Sequence, residues 1–213
     1  MNKLIYFLLL FVLISASCNL DSGSGKKADD AAKHKAQQGK KTDPDQRDLI
    51  VAGLKQMALA FRDKDVNRIE KYFDFPLADT SLSIYEINED FDLARKANNG
   101  QISRDLFIKN FNDIYDYLQL GDFSDLFKAI NLAELKNKNE LTGEQHIKDE
   151  GCYSSYLVSI EGDTVTLRYG TNSDEKYREA HPDQEEVCGE AAFTWIFKLE
   201  GNKLRFVREM TAG

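Results

Sequence analysis

The chain has 213 residues, of which 42% are hydrophobic, and its 36 acidic and 28 basic residues give a net charge of -8. This composition is typical of one globular domain with appendages, and it is large enough for a real hydrophobic core. It argues against a nucleic-acid partner, because phosphate binding depends on clustered lysines and arginines, which the periodic part of the sequence lacks. Residues 49–213 carry about -10, so the predicted domain is distinctly acidic.

The first 17 residues have the layout of a secretory signal peptide. Lys3 gives a positive start, an unbroken apolar run covers 4–14, and three small residues follow over 15–17. The apolar run is too short for a permanent transmembrane helix, which takes about 20 residues. An N-terminal core helix is the alternative, but the run is apolar on every side. We therefore predict a signal peptide over residues 1–17.

The stretch LISASC, which ends at Cys18, resembles the lipobox of bacterial lipoproteins. In that family the cysteine receives a diacylglycerol, signal peptidase II cleaves before it, and the new N-terminus is acylated, for example with palmitate. The resemblance implies that Cys18 anchors the mature protein to a lipid bilayer of the bacterial cell envelope, on the periplasmic side or at the surface. The family usually has Leu where Ser15 stands. Ser15 and Ser17 also suit the ordinary signal peptidase, so a plain secreted form is the alternative.

Residues 18–45 are predicted to form the lipidated cysteine and a flexible stalk. The segment after Cys18 has no aromatic residue, and Leu20 is its only large apolar one. Such a segment cannot bury enough surface to offset the entropy that it would lose on ordering. The folded domain is therefore predicted to span residues 46–213.

Apolar residues at helical spacing predict helices in the first half of this domain. Asp45 is predicted to cap the first helix, which carries an apolar face from Ile50 to Phe61. Asp65 is predicted to start a short second helix that ends by Pro76, and the chain around Pro76 is expected to be extended.

The stretch 79–101 has an ambiguous pattern, with candidate strand residues between 82 and 87. Ser103 is then predicted to cap a helix that Gly121 closes, and Asp122 to cap a short helix after it. This half of the domain is therefore predicted to be mainly helical.

The second half is β in character. The stretches CYSSYLVSI (152–160) and TVTLRY (164–169) alternate and are joined by a turn, which predicts a hairpin. AAFTWIFKL (191–199) and KLRFVREM (203–210) predict a second hairpin. Helices followed by strands predict an α+β fold, with N-terminal helices packed on one face of an antiparallel sheet.

This order resembles the nuclear transport factor 2-like, or cystatin-like, superfamily. The resemblance rests on tandem N-terminal helices, on YFDFPL (72–77) and ISRDLFIKNFNDIY (102–115), and on the closing hairpin FTWIFKLEGNKLRFVREM (193–210). It implies a strongly curved sheet that forms a cone with the helices around an apolar cavity, and a possible homodimer through the open sheet face. Members include isomerases, dehydratases and cyclases as well as binding modules, and no catalytic motif of the family maps onto positions of this sequence.

Cys152 and Cys188 are the only cysteines of the predicted domain. In an exported protein, such a pair is interpreted first as a disulfide. The bridge would tie the start of the first hairpin to the start of the last and stabilise the fold by roughly 4 kcal/mol. Two free buried thiols are the alternative, and a nucleophilic thiol is disfavoured because no histidine stands at a characteristic spacing.

Other candidate groups do not assemble into a motif. His146 and His181 stand in polar, loop-like sequence without a metal ligand three or four residues on, and are interpreted as solvated. NEDFD (88–92) resembles a calcium loop in composition but lacks its glycine and closing glutamate. The aromatic stripe over 193–197 is interpreted as core, with a ligand cavity as the alternative. No catalytic residue, cofactor or metal is predicted.

Together these features favour a membrane-anchored lipoprotein with a non-catalytic domain that binds a protein or a small ligand. One alternative is a small-molecule isomerase, dehydratase or cyclase, for which a buried Asp, Glu or His facing a Tyr in a pocket would be the sign. The other is an immunity-like inhibitor of a basic toxin, which an acidic domain would suit.

Overall fold

The computed structural model describes residues 42–147, 151–182 and 188–212. Within them a helical half is followed by a five-stranded antiparallel sheet whose strands lie side by side in chain order, which confirms the predicted α+β class. The helices are α1 (Pro44–Arg62), α2 (Val66–Ile69), α3 (Glu89–Ala97), α4 (Arg104–Lys109), α5 (Phe111–Tyr117), α6 (Leu120–Ala129) and α7 (Glu175–Ala180). The strands are β1 (Glu140–Ile147), β2 (Cys152–Glu161), β3 (Thr164–Ser173), β4 (Ala191–Glu200) and β5 (Lys203–Ala212).

Helix α1 begins at Pro44, and its cap is Asp43 rather than the predicted Asp45. The Asp43 carboxylate accepts a hydrogen bond from the Asp45 backbone N–H at 2.9 Å. Proline is favoured at the first helical position because it has no N–H to leave unpaired and its φ is already helical. The predicted apolar face is confirmed, since buried residues run from Ile50 to Phe61 along α1.

The predicted caps Asp65 and Ser103 are confirmed, because their side chains accept hydrogen bonds from the backbone N–H groups of Arg68 and Leu106. The prediction that Gly121 closes the helix after Ser103 is wrong. The chain breaks twice in this stretch, into α4, α5 and α6, and Gly121 lies inside α6.

Gln119 stands at the N-terminus of α6, where Asp122 was the predicted cap. Its backbone is left-handed, with a φ of 50°, and its side-chain oxygen accepts a hydrogen bond from the hydroxyl of Tyr169 on β3. A left-handed residue other than glycine is strained, and persists where its surroundings hold it in place. The contact with Tyr169 is one such restraint.

The stretch 79–101 contains a helix that the sequence did not predict, and no strand. Leu82 and Ile84 are fully buried, but their backbone is irregular. Helix α3 follows, and Asn88 caps it by accepting a hydrogen bond from the Phe91 N–H at 2.9 Å. The NEDFD stretch is therefore the start of a helix.

The four predicted strands are confirmed, and β1 extends the sheet beyond β2. His146 therefore lies on an edge strand rather than in a loop, and the unpredicted α7 lies between β3 and β4. Side chains alternate between the faces, and one face is buried beneath the helices. Its core residues are Tyr156, Val158, Ile160, Val165, Leu167, Tyr169, Trp195, Phe197, Leu199, Leu204 and Phe206.

A β-bulge interrupts the pairing of β4 with β5. Ile196 lies opposite Arg208 while Phe197 lies opposite Phe206, so Val207 is an extra residue on β5. Bulges of this kind bend the strand and increase its twist. The part of β5 beyond the bulge lines the candidate site described below.

A disulfide joins Cys152, the first residue of β2, to Cys188, which lies just before β4, with Cα atoms 5.8 Å apart. Helix α7 lies within the loop that this bridge closes. Cys18, the predicted signal peptide and nearly all of the predicted stalk lie outside the described residues. No helix in the described part of the chain combines the length and apolar character that crossing a bilayer requires.

Candidate functional site

A cleft of about 380 Å³ opens where β5 ends, between that strand, α5 and the irregular segment that precedes α3. It brings together residues that are more than a hundred positions apart in the sequence. We call it the Glu209 cleft, and its lining residues are Asp79, Thr80, Ser81, Ser83, Tyr85, Tyr117, Leu118, Phe193, Glu209 and Thr211.

One backbone hydrogen bond ties the irregular segment to the edge of β5, and two serine side chains brace the segment internally. The Glu209 N–H donates to the Ser81 carbonyl at 2.8 Å. The Ser81 hydroxyl donates to the Ala78 carbonyl at 2.8 Å, and the Ser83 hydroxyl donates to the Asp79 carbonyl at 3.3 Å. Because both hydroxyl protons are committed, the two serine oxygens remain available as acceptors.

Tyr85 and Tyr117 form the rim of the cleft, with their rings edge to face and 6.3 Å apart. Their exposed fractions are large, at 47% and 40%. Each tyrosine lies close to a non-glycine residue with a left-handed backbone, since Glu86 has a φ of 60° and Gln119 a φ of 50°. Backbone strain of this kind clusters at functional sites, which makes this rim a candidate binding edge.

Glu209 provides a half-buried carboxyl group to the cleft. It lies opposite Trp195 in the β4–β5 pair, so it faces the inner side of the sheet, and Trp195 Nε1 donates to its Oε1 at 3.3 Å. Burial raises the pKa of the Glu209 carboxyl, although the hydrogen bond from Trp195 acts in the opposite direction. No described residue forms an ion pair with Glu209.

Asp79, the other carboxylate of the cleft, already has a counter-ion. Arg95 Nη1 donates to both of its oxygens at 2.9 Å, and the Arg95 guanidinium lies over the Tyr85 ring at 5.9 Å. Gly100 packs closely behind, because a Cβ there would meet Asp79 Oδ2 at 2.7 Å. The charge of Asp79 is thus balanced within the protein, whereas that of Glu209 is not.

Aromatic rings fill the space between the cleft and the helices. Tyr169 stacks on Phe193 with ring centroids 4.9 Å apart, and Phe123 packs against Trp195 at 5.1 Å. Burial, together with the nearby Asp122 and Glu209, raises the pKa of the Tyr169 hydroxyl. Trp195 and Phe197 are core residues, as predicted for the aromatic stripe, while Phe193 reaches the cleft.

The two histidines of the domain do not line this cleft. His146 is exposed, as predicted, but its Nδ1 lies 2.7 Å from Asp174 Oδ2, and its ring stacks on Tyr153. The hydrogen bond with His146 lowers the pKa of Asp174. His181 follows α7 and stacks on Tyr177. Among the residues that the structure describes, no three His, Cys, Asp or Glu side chains are placed to hold a metal ion.

Apart from Phe193, for which a ligand cavity was the alternative to core packing, the sequence did not identify the residues of the Glu209 cleft. Cys152 and Cys188 form the disulfide and lie apart from the cleft lining, and Cys18 is outside the described residues. Glu209 stands in a strand sequence, KLRFVREM, with no motif around it. Its burial depends on the strand pairing, so only the three-dimensional structure reveals it.

Comparison with known proteins adds no relative. No family model matches the chain, and a search of the curated proteins finds no match either.

We expect Glu209 to make the protein less stable as the pH rises. Burial favours the protonated carboxyl, so the folded protein holds this proton more tightly than the unfolded chain does. The stabilisation is complete below the ordinary glutamate pKa of about 4.3 and is lost as the pH rises through the raised pKa. Urea unfolding at a series of pH values, for the wild type and for Glu209→Gln, measures the effect.

The free energy of unfolding of the wild type minus that of Glu209→Gln should decrease as the pH rises across this window. Asp122 also has a raised pKa, caused mainly by burial, but it is present in both proteins, so the difference isolates Glu209. A difference that stays constant or grows with pH would show that the Glu209 carboxyl is not held in its protonated form.

Proposed function

We propose that this protein is a lipoprotein of the bacterial cell envelope, anchored through Cys18, whose domain binds a small ligand in the Glu209 cleft without transforming it. One observation carries the binding role: a half-buried carboxyl, which no described residue pairs with an opposite charge, faces a cleft that is rimmed by two exposed tyrosines. The sequence features around Cys18 support the anchor.

The arrangement of the domain supports a fold of the nuclear transport factor 2-like kind. Helices precede an antiparallel sheet and cover one of its faces, and the last strand of the sheet carries a bulge. In such a fold the apolar interior is the usual ligand chamber, but here Phe123, Trp195 and Phe197 are fully buried within it. A ligand therefore has room at the end of the sheet rather than in its centre, which favours binding over catalysis in a closed chamber.

Replacing Thr211 with tryptophan is expected to fill the cleft and abolish ligand binding. Thr211 lines the cleft, whereas its neighbour Met210 points to the opposite face of β5, because side chains alternate along a strand. Met210→Trp is therefore the matched control. Saturation-transfer NMR on the full-length protein, with pools of cationic, neutral and anionic metabolites, identifies compounds whose signals should vanish in T211W and persist in M210W. The binding proposal fails if no compound behaves in this way.

The anchor is tested by mass spectrometry of the N-terminus of the protein isolated from membranes. The proposal requires cleavage before Cys18 and the mass of a diacylglycerol with additional acyl chains on the new N-terminal residue. Acylation of this kind contributes about 0.8 kcal/mol per buried CH₂, which makes membrane attachment essentially permanent. Recovery of mature protein with an unmodified Cys18 would favour the plain secreted form.

A second function is favoured by the pKa of Glu209. A carboxyl whose pKa is raised by burial, in a cleft that Tyr117 also lines, is also what a proton-transfer enzyme needs. In that case the wild type would consume one of the pooled metabolites and Glu209→Gln would not. Such turnover would replace the non-catalytic proposal.

A further inference from the structure

We infer that the Glu209 cleft selects ligands that carry a primary ammonium group. This inference rests on the proposed function, since it names the ligand class of the same cleft. It follows from three properties of the lining: its unbalanced charge, its available acceptors and its tyrosine rings.

The charge of the lining favours a cation. Among the residues that the structure describes, no lysine, arginine or histidine lines the cleft. Arg95 contacts the lining residue Asp79 and the ring of Tyr85, and is committed to both. Glu209 is therefore an ionisable group that is partly removed from water and has no ion-pair partner in the described part of the chain. A ligand cation beside it supplies that charge and favours the ionised carboxylate.

The hydrogen-bonding groups favour a donor with several protons. Oε1 of Glu209 accepts from Trp195, which leaves Oε2 for a ligand. Ser81 and Ser83 line the cleft, and because their hydroxyl protons are donated to backbone carbonyls, their oxygens can act only as acceptors towards a ligand. A primary ammonium group has three N–H donors and no acceptor, which matches this set.

The rim adds a second attraction for a cation. The rings of Tyr85 and Tyr117 carry negative charge on their faces, and a cation within about 6 Å of a ring centre is attracted to it. Tyr85 already makes this contact with Arg95, while Tyr117 is 40% exposed and makes no such contact with any described residue. A neutral polyol would use the acceptors but leave Glu209 unbalanced, and an anion would be repelled by it.

Three probes of matched shape test the inference: 2-phenylethylammonium, 2-phenylethanol and phenylacetate. They share a phenyl ring and a short chain and differ mainly in charge. Trp195 is the only tryptophan of the chain, and its indole N–H is bonded to Glu209, so one indole signal in the ¹H–¹⁵N spectrum reports binding. We expect the ammonium probe to shift this signal with a dissociation constant at least tenfold lower than that of the alcohol, and phenylacetate to bind more weakly still.

Glu209→Gln should remove this preference, so that the ammonium probe binds at least tenfold more weakly and no better than the alcohol. Glu200→Gln, a matched change at the exposed far end of β4, should leave all three affinities unchanged. The probe comparison on the wild type does not depend on the folding of either variant.

The outcomes separate this inference from the proposed function. If the alcohol or phenylacetate binds as tightly as the ammonium probe, or if no probe shifts the indole signal, the ammonium class is wrong. In either case, a metabolite whose binding is lost in T211W and kept in M210W would still establish the cleft as a binding site.

Discussion

Replacing Trp195 with alanine is expected to lower the free energy of unfolding by about 4 kcal/mol, the largest effect of any single substitution considered. The side chain is fully buried. Its ring is 4.9 Å from that of Phe206, 5.1 Å from that of Phe123 and 6.0 Å from that of Phe73. The alanine variant loses these contacts and leaves a cavity between the helices and the sheet, which the surrounding rings cannot fully close.

Urea unfolding followed by circular dichroism measures this loss, since the variant has no tryptophan fluorescence. Trp195→Phe removes the N–H that donates to Glu209 but keeps most of the packing. Because the packing is kept, the decrease in the free energy of unfolding should be clearly smaller for this variant than for Trp195→Ala. Leu93→Ala, at a side chain that is 58% exposed on α3, should change stability by less than about 0.5 kcal/mol. A loss below about 1 kcal/mol for W195A would mean that the interior is not packed around this ring.

Removing the disulfide is expected to have an effect of similar size. The bridge joins residues 36 positions apart, and closing a loop of that length stabilises a fold by about 4 kcal/mol, through the lower entropy of the unfolded chain. The double variant Cys152→Ala/Cys188→Ala removes the bridge without leaving a reactive thiol. Urea unfolding should show this loss relative to the wild type, and addition of a reductant should destabilise the wild type but not the variant.

Peptide mapping provides the direct control for this prediction. The protein is unfolded without reduction, alkylated and digested, and the peptides that contain Cys152 and Cys188 should be recovered linked and unalkylated. Recovery of both cysteines in alkylated form would establish two free thiols instead. The stability loss would then have to come from packing around Cys152, which is 7% exposed.

The parts of the fold that could be predicted are those where local pattern and burial agree. Strands β2 and β4 carry alternating side chains because only one face of the sheet is covered, and that alternation is visible in the sequence. Strand β1 could not be predicted in the same way. As an edge strand with mostly exposed or partly exposed side chains, it shows no apolar alternation, and its structure comes from pairing with β2.

The sequence contains only a weak indication of helix α3. Phe91 is its only buried residue, so it shows no apolar stripe. Its charges nevertheless follow the helix dipole, with Glu89, Asp90 and Asp92 in the first turn and Arg95 in the last. Pattern-based reasoning relies on burial and overlooks helices that are stabilised mainly by caps and charges.

The candidate site could not be predicted from the sequence, because the residues that line it are distant along the chain and come together only in the folded structure. Ser81 and Glu209 are brought together by one backbone hydrogen bond between an irregular segment and an edge strand. The pairing of Arg95 with Asp79, and the lack of an ion-pair partner for Glu209 among the described residues, are likewise properties of the tertiary structure. No short motif encodes contacts between residues so far apart in the sequence, so composition and residue spacing do not predict them.

The bulge at Val207 determines the sign of charge that the cleft presents. In a strand paired without interruption, the residue two places after the inward-facing Phe206 would lie opposite Trp195, and that residue is Arg208. The extra residue sends Arg208 to the outer face and places Glu209 opposite Trp195 instead. Insertion or deletion of a single residue in β5 would thus exchange a carboxylate for a guanidinium in the cleft.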